Sequence, residues 1–390
     1  MCADFGLVTR LWDFTGEPDA PLDAALGVAG IDYLVVPVVT GPLRRFRFQG
    51  VGDERAFDTE GGWHYPPRGE AYKSGSVKPH VARWRRKRDP LAMLAKYADR
   101  HGLRLVPQID LRGLLALFER EPHLLSRNAW GDVNPALGAC VMNPDTRELL
   151  RDVLDDLTDR DPDGFQLVDW MVDAPVEAGR NRQYDWRPRL QRLLDICFCP
   201  SCRQTAARAG LDADQTADLV RQAAERLHAD PDAVAAASPS EEEAVRRYLA
   251  VRRADAHEWL AAAANSLAGR PLHMLVDPHM RGDSPYFFED EIEPLIDAGI
   301  TPVFRVLNVS PARMDVERKI LAPLPAGRSA ACGRLLPICG PHFHQADELV
   351  RTVKHAIEPG AACLEFDDVD IAPLGAFDWL RQAVRYARRG

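Results

Sequence analysis

The sequence predicts a (β/α)8 TIM barrel on the basis of three observations. Short apolar runs rich in β-branched residues recur along the 390 residues, each bounded by turn residues. These runs alternate with helical patterns, as expected for parallel strands joined by crossover helices. No Gly-x-Gly-x-x-Gly motif follows the first run, which weakens an open dinucleotide-binding sheet as the alternative. Eight successive strand and helix units therefore favour a closed barrel.

Each predicted strand is an apolar run that ends at a turn signal. The eight strands are Gly6–Phe14, Tyr33–Thr40, Leu103–Leu111, Gly164–Trp170, Leu272–Asp277, Thr301–Asn308, Arg334–Cys339 and Ala362–Asp367. Helices between and after them are recognised by their start and stop residues, such as Asn143-Pro144 and Gly102. They include Pro90–His101, Thr146–Arg160, Asp347–Ile357 and Ala376–Arg388.

Two insertions interrupt the alternation within what we expect to be a single barrel domain over residues 1–390. The first, residues 41–88, is rich in glycine and aromatic residues and follows the second strand. In a barrel it would lie on the C-terminal rim, where active sites are built. The second, residues 172–269, follows the fourth strand and contains a cysteine cluster and two helices, Asp214–His228 and Glu241–Ala268.

Composition is that of a globular enzyme, with 46% hydrophobic and 27% charged residues. The net charge of −9 argues against binding to nucleic acid, because affinity for phosphates comes from clustered lysine and arginine. No apolar window is long enough to span a membrane. The first residues also lack the basic region followed by an apolar stretch that is typical of a signal peptide. We therefore expect a cytoplasmic protein with no nucleic-acid or membrane partner.

The cysteines form a metal-binding pattern. Cys197, Cys199 and Cys202 lie within one short stretch, and Cys140 is the best upstream candidate for a fourth ligand. Cysteine thiolates at such spacing are typical of tetrahedral zinc sites, and four of them would leave no coordination position open to substrate. The alternative is that these are reduced, buried thiols that pack as small hydrophobic side chains. The sequence thus predicts one structural zinc ion.

Two resemblances to known families follow from these residues. The pattern of Cys140-x-x-Asn-Pro-x-x-Arg before Cys197-x-Cys-Pro-x-Cys resembles the zinc site of bacterial β-galactosidases of glycoside hydrolase family 42. More of the chain is similar to a group of largely uncharacterised glycoside-hydrolase-like barrels. The matching segments are residues 88–91, 101–105, 128–132, 140–147, 193–200 and 377–380. The resemblance implies a carbohydrate-processing barrel whose acidic strand ends carry the chemistry, with a carbohydrate or glycoside as substrate.

The candidate catalytic residues are acids at predicted strand ends, because glycoside hydrolysis needs one carboxylic acid and one carboxylate. The resemblance implies glutamates at the ends of the fourth and seventh strands. The fourth strand here ends instead in Asp169, and the seventh runs into Gly340 and Pro341 without an acid. Asp169 is therefore the leading candidate, with Glu365, Asp367 or Asp277 as its partner. Glu365 and Asp367 alternate with Phe366 and would share one face of the last strand.

Further polar and aromatic residues at predicted strand ends are candidates for sugar binding, which uses hydrogen-bonding groups and aromatic platforms. They are Asp110, Trp130, Trp170, Asp173, His279, Arg305, Asn308, His342 and His344. Each acid also has an ordinary structural interpretation as a helix cap or ion-pair partner. The three histidines would alternatively join carboxylates around a catalytic divalent metal.

The leading function is accordingly a glycoside hydrolase-like enzyme. The missing glutamates keep two alternatives open: a carbohydrate-binding barrel that has lost hydrolysis, and a lyase, isomerase or transferase acting on a sugar-like metabolite. Family 42 relatives are often oligomeric, so the resemblance leaves a homo-oligomer open, although no segment of the sequence marks an interface.

Overall fold

The computed structural model describes most of the chain. The described residues are 3–14, 30–46, 56–85, 88–111, 114, 117, 120–133, 138–168, 170, 188–230, 238–276, 292–305, 328–338, 345–357, 360–367, 372–373 and 375–389.

Eleven strands occur in these residues, and eight of them form a closed parallel barrel. The strands are β1 Asp4–Val8, β2 Tyr33–Thr40, β3 Leu43–Phe46, β4 Ala56–Thr59, β5 Gly62–Trp63, β6 Arg104–Asp110, β7 Phe165–Val168, β8 Leu272–Val276, β9 Ile300–Arg305, β10 Gly333–Pro337 and β11 Cys363–Asp367. The barrel runs in the order β1, β2, β6, β7, β8, β9, β10, β11, and β11 pairs with β1 to close it. The predicted (β/α)8 fold is confirmed.

The described helices surround the barrel or lie between its later strands. They are α1 Pro90–Arg100, α2 Pro144–Thr158, α3 Pro188–Asp195, α4 Pro200–Arg208, α5 Ala213–Ala229, α6 Pro239–Ser266, α7 Ile292–Asp297, α8 Ala346–Ile357 and α9 Ala376–Arg389. Each predicted helix is present within two residues of its expected limits, a margin within which helix ends are commonly assigned differently.

The first barrel strand is shorter than the sequence predicts. β1 ends at Val8, and Leu11–Phe14 form a 3-10 turn where the expected strand continued to Phe14. The apolar residues that suggested a longer strand serve another purpose, since Trp12 stacks on Phe57 of β4 with ring centroids 4.6 Å apart. The apolar residues that follow Val8 therefore pack against the rim and do not extend the strand.

The barrel interior is filled by side chains that alternate along the strands. Aliphatic side chains, together with Tyr33 and Cys363, form one buried cluster there: Val8, Tyr33, Val35, Val106, Val168, Leu275, Val303, Leu335 and Cys363. The opposite faces of the strands pack against the helices in a larger core. Such filling is usual for TIM barrels, whose interior is a packed core and whose C-terminal end holds the functional loops.

The segment between β2 and α1 forms additional structure on the C-terminal rim. Strands β3 and β4 pair as an antiparallel hairpin, and β5 adds to the C-terminal end of β2 through Val39 and Trp63. Within the described residues, no helix is long and apolar enough to cross a membrane.

Candidate functional site

The four predicted cysteines converge. The sulfur atoms of Cys140, Cys197, Cys199 and Cys202 lie within 4.8 Å of one another, with 3.5 Å between Cys140 Sγ and Cys202 Sγ. A tetrahedral metal with bonds of about 2.3 Å separates its sulfur ligands by roughly 3.8 Å, whereas a disulfide needs about 2.05 Å. All four are free thiols and buried. The predicted grouping is confirmed, and its geometry is compatible with a metal site.

Two short backbone segments position these thiols. Cys140 directly follows an isolated bridge between Leu125 and Ala139, and its N–H donates to Leu124 O at 2.7 Å. The loop between α3 and α4 is attached to the same segment, because Phe198 N–H donates to Arg127 O at 2.7 Å. The cluster therefore joins the loop before α2 to the loop before α4.

The surroundings of the cluster favour a negative charge on some of its sulfur atoms, Cys199 above all. Arg127 N–H donates to Cys197 Sγ at 3.3 Å. Cys199 is the N-cap of α4, where the helix dipole favours an anion. Hydrogen bonds from the Cys140, Cys197 and Cys202 thiols hold the pKa of Cys199 well below its usual value. Burial raises the pKa of Cys202, while the nearby charge of Arg252 opposes that rise. Hydrogen bonds to the other three thiols, with burial, also raise the pKa of Cys140, so the thiolate form is favoured at Cys199 and not at all four positions.

A second group of predicted residues lies at the C-terminal end of the barrel. Asp110, Arg305 and Asp367 are the last residues of β6, β9 and β11. Their strand partners Val168 and Leu335 belong to the interior cluster, so side-chain alternation directs Asp110 and Arg305 inward. In a TIM barrel this end carries the active site.

Asp367 is held at this end by an arginine that the sequence analysis did not identify. Arg10 Nη2 donates to Asp367 Oδ1 at 2.7 Å, and the Asp367 side chain remains 26% exposed. Since an adjacent guanidinium favours the ionised form of a carboxyl group, Asp367 is suited to act as a carboxylate.

Glu365 lies deeper on the same interior face and has no solvent-exposed surface. Its carboxylate accepts hydrogen bonds from Tyr33 Oη at 3.0 Å and from Gln166 Nε2 at 2.7 and 2.9 Å. His273 Nδ1 lies 3.4 Å from Glu365 Oε1. The two acids of β11 therefore occupy different depths, and only Asp367 reaches the surface of the mouth.

The two candidate aromatic platforms differ in exposure. Trp170 is buried, donates from Nε1 to Ile109 O at 3.0 Å and packs on Trp259. A ring in that position has no open face for a sugar. Trp130 is 42% exposed, and it lies in a loop whose turn is formed by Asn128 Oδ1 accepting from the Trp130 and Asp132 amides.

A buried histidine on the rim has a defined tautomer. Trp84 Nε1, which can only donate, lies 2.8 Å from His64 Nδ1, so His64 Nε2 carries the proton that it donates to Thr40 Oγ1 at 2.7 Å. Burial lowers the pKa of His64 to about 3. His64 thus stays neutral and joins the end of β2 to the aromatic residues of the rim.

Several predicted site residues lie outside the described part of the chain. They are Asp169, Asp173, Asp277, His279, Asn308, His342 and His344.

The comparisons with known proteins concern the fold. No protein-family model matches the sequence, and no characterised protein matches it by sequence. Among solved structures, a β-galactosidase from the psychrophilic Marinomonas ef1 is 12% identical, with a TM-score of 0.54 over 98% of this chain and 59% of that chain. A β-galactosidase from Bacillus circulans sp. alkalophilus is 10% identical, with a TM-score of 0.54 over 98% of this chain and 55% of that chain. The chain spans less than two thirds of the length of either. Both of these structures are β-galactosidases, and at this identity the likeness is one of fold.

Proposed function

We propose that the protein is a glycoside hydrolase-like enzyme that acts on a small or soluble glycoside at the C-terminal mouth of the barrel. The observation that carries the proposal is the Arg10–Asp367 ion pair at 2.7 Å, which holds a partly exposed carboxylate at this mouth. A second acid, Asp110, is the last residue of β6. β6 is separated from β1 by one strand, β2, around the barrel. The fold shared with two β-galactosidases supports the same reaction class.

The roles follow from the chemistry that glycoside hydrolysis requires. Asp367, paired with a guanidinium, would attack the sugar or activate water, while Asp169 would protonate the leaving oxygen. Asp277 is the other candidate partner, and Glu365 is less suited because it is fully enclosed. Asp110, Arg305 and Trp130 would bind the sugar, together with Asp173, His279, Asn308, His342 and His344.

Turnover of a panel of aryl glycosides tests this proposal. Asp169→Asn should lower kcat by about 100-fold or more, because a general acid typically contributes that much, while its melting temperature stays near that of the wild type. The matched control is Asp378→Asn, which alters an exposed ion pair with Arg381 on the outer helix α9 and should leave turnover unchanged. Normal turnover in Asp169→Asn would remove Asp169 from the mechanism.

A second candidate function is a barrel that binds carbohydrate without hydrolysing it. The enclosed state of Glu365 favours it, because this acid has no exposed surface with which to act on a sugar at the mouth. In that case simple sugars would raise the melting temperature by mass action, while no aryl glycoside in the panel would be cleaved.

The four cysteines would hold one structural zinc ion. Their sulfur separations fit tetrahedral thiolate coordination, and four protein ligands leave no position for substrate. In this role the metal would connect the loops before α2 and α4 and take no part in the reaction.

A further inference from the structure

The barrel interior contains a second group of side chains that are typical metal ligands. His273 on β8 and Cys363 and Glu365 on β11 each offer one ligand atom, and these atoms lie within 4.8 Å of one another. We call these three residues the interior triad. β8 and β11 are separated by β9 and β10 around the barrel, so the triad brings together strands that do not pair.

The donor atoms of the interior triad suit a transition metal. Imidazole nitrogen, thiolate sulfur and carboxylate oxygen are the three kinds of ligand that zinc accepts, at about 2.0 to 2.3 Å. Such bonds place neighbouring ligand atoms roughly 3.3 to 3.8 Å apart in a tetrahedron. The 3.4 Å between His273 Nδ1 and Glu365 Oε1 already falls in this range.

Neighbouring residues form hydrogen bonds with the interior triad, as residues around the direct ligands of a metal usually do. Metal-bound carboxylates are usually fixed by further hydrogen bonds, and Glu365 accepts them from Tyr33 and Gln166. Space for the thiol is made on β10, because a Cβ on Gly333 would lie 2.4 Å from Cys363 Sγ. Only glycine at position 333 leaves the Cys363 sulfur where it is.

The presence of polar side chains in the barrel interior, at the interior triad, also needs an explanation. TIM-barrel interiors are mostly filled by valine, isoleucine and leucine, and an ionised carboxylate is expensive to bury unless it is paired or bound to a metal. Glu365 is fully buried and Cys363 nearly so. A bound cation would balance the charge of the Glu365 carboxylate, which is the acid of the interior triad.

We propose that the interior triad binds one divalent transition metal ion, zinc by its donor set, at a site separate from the four cysteines. His273 is the second residue of β8 and retains 13% side-chain exposure, so the ion enters from the N-terminal end of the barrel. Catalytic groups of TIM barrels lie at the other end. The ion is therefore structural and links β8 to β11 across the interior.

Metal analysis of the full-length protein tests the inference. After loading with zinc and gel filtration, the wild type should carry two zinc ions per chain and Cys363→Ala one. The matched control is Cys332→Ala, which removes another buried thiol outside any disulfide that belongs to neither group, and it should retain two. Glu365→Gln should also carry one ion, and it replaces Cys363→Ala if that variant fails to fold.

The outcomes separate this inference from the proposal for the four cysteines. One ion in the wild type and one in Cys363→Ala would overturn the interior site and leave the four-cysteine site standing. Two ions in all variants would also overturn it, because the second ion would then lie elsewhere. One ion in the wild type that is lost in Cys363→Ala would support the interior site and count against the four cysteines.

Discussion

Burial of the Asp152 carboxyl group should make the folding stability of the protein depend on pH. It lies on α2 against the rim segment, where a Cβ on Gly75 would be 2.6 Å from Asp152 Oδ2. Oδ2 is buried and has no hydrogen-bond partner among the described residues. Burial, with the charges of Glu148 and Asp155, raises the pKa of Asp152 to about 6.

Stability should therefore fall with rising pH in the window set by Asp152. Between about pH 4 and pH 6 the folded protein holds a proton on this group that the unfolded chain has released, so the free energy of unfolding decreases as pH rises. We expect Asp152→Asn to be more stable than the wild type by about 1 kcal/mol at pH 7, a value discounted for partial solvent screening. At pH 4 the two should be equally stable.

Urea unfolding at both pH values measures this difference. Asp99→Asn, at an exposed position near the end of α1, is the control and should change stability little at either pH. Equal stabilities of Asp152→Asn and the wild type at pH 7 would show that the carboxylate is solvated.

At the scale of elements, several helices begin with the same local signal. Proline occupies the first position of α1, α2, α4 and α6, after Asp89, Asn143, Cys199 and Ser238 respectively. Asp89, Asn143 and Ser238 accept a hydrogen bond from the first turn, as N-caps usually do, whereas Cys199 makes no such bond. Its sulfur faces the other cysteines, so the start of α4 depends on the cluster.

Removing one thiol should therefore loosen both connected loops. Cys199→Ser should lose the proposed zinc ion and lower the melting temperature by several degrees, because metal binding contributes directly to folding stability. Metal content and thermal unfolding are measured on the same samples, with Cys332→Ser as the control for loss of a buried thiol. A variant without metal but with the wild-type melting temperature would contradict a structural role.

At the scale of the whole molecule, the sequence predicts the barrel better than the site. Strands such as β2, buried at all eight positions, appear as unbroken apolar runs and are readily recognised. The convergence of Cys197, Cys199 and Cys202 follows from their spacing, whereas Cys140 lies 57 residues before Cys197 and meets them only in the folded chain. The network around Glu365 could not be predicted, because Tyr33, Gln166 and His273 are far apart in sequence and meet only when the barrel closes. Roles for Asp169 and Asp277 remain predictions.

Closure of the barrel depends on a small residue in β1. Gly6 pairs with Tyr33 of β2 on one side and Glu365 of β11 on the other. A Cβ at this position would lie 2.5 Å from Cζ of the Tyr33 ring. That ring fills the interior, and its hydroxyl donates to Glu365, so it has little freedom to move away.

Gly6→Ala should thus destabilise the protein by about 1 to 3 kcal/mol, the usual range for overpacking in a core. Gly69→Ala is the matched control, since a Cβ there meets no atom within 4 Å, and its effect should stay within about 0.5 kcal/mol. Tyr33→Phe keeps the ring but removes the hydroxyl, so Gly6→Ala in that background separates the effect of ring packing from that of the hydrogen bond. If Gly6→Ala unfolds in urea like the wild type, β1 can shift without opening the barrel, and the contact with Tyr33 does not control closure.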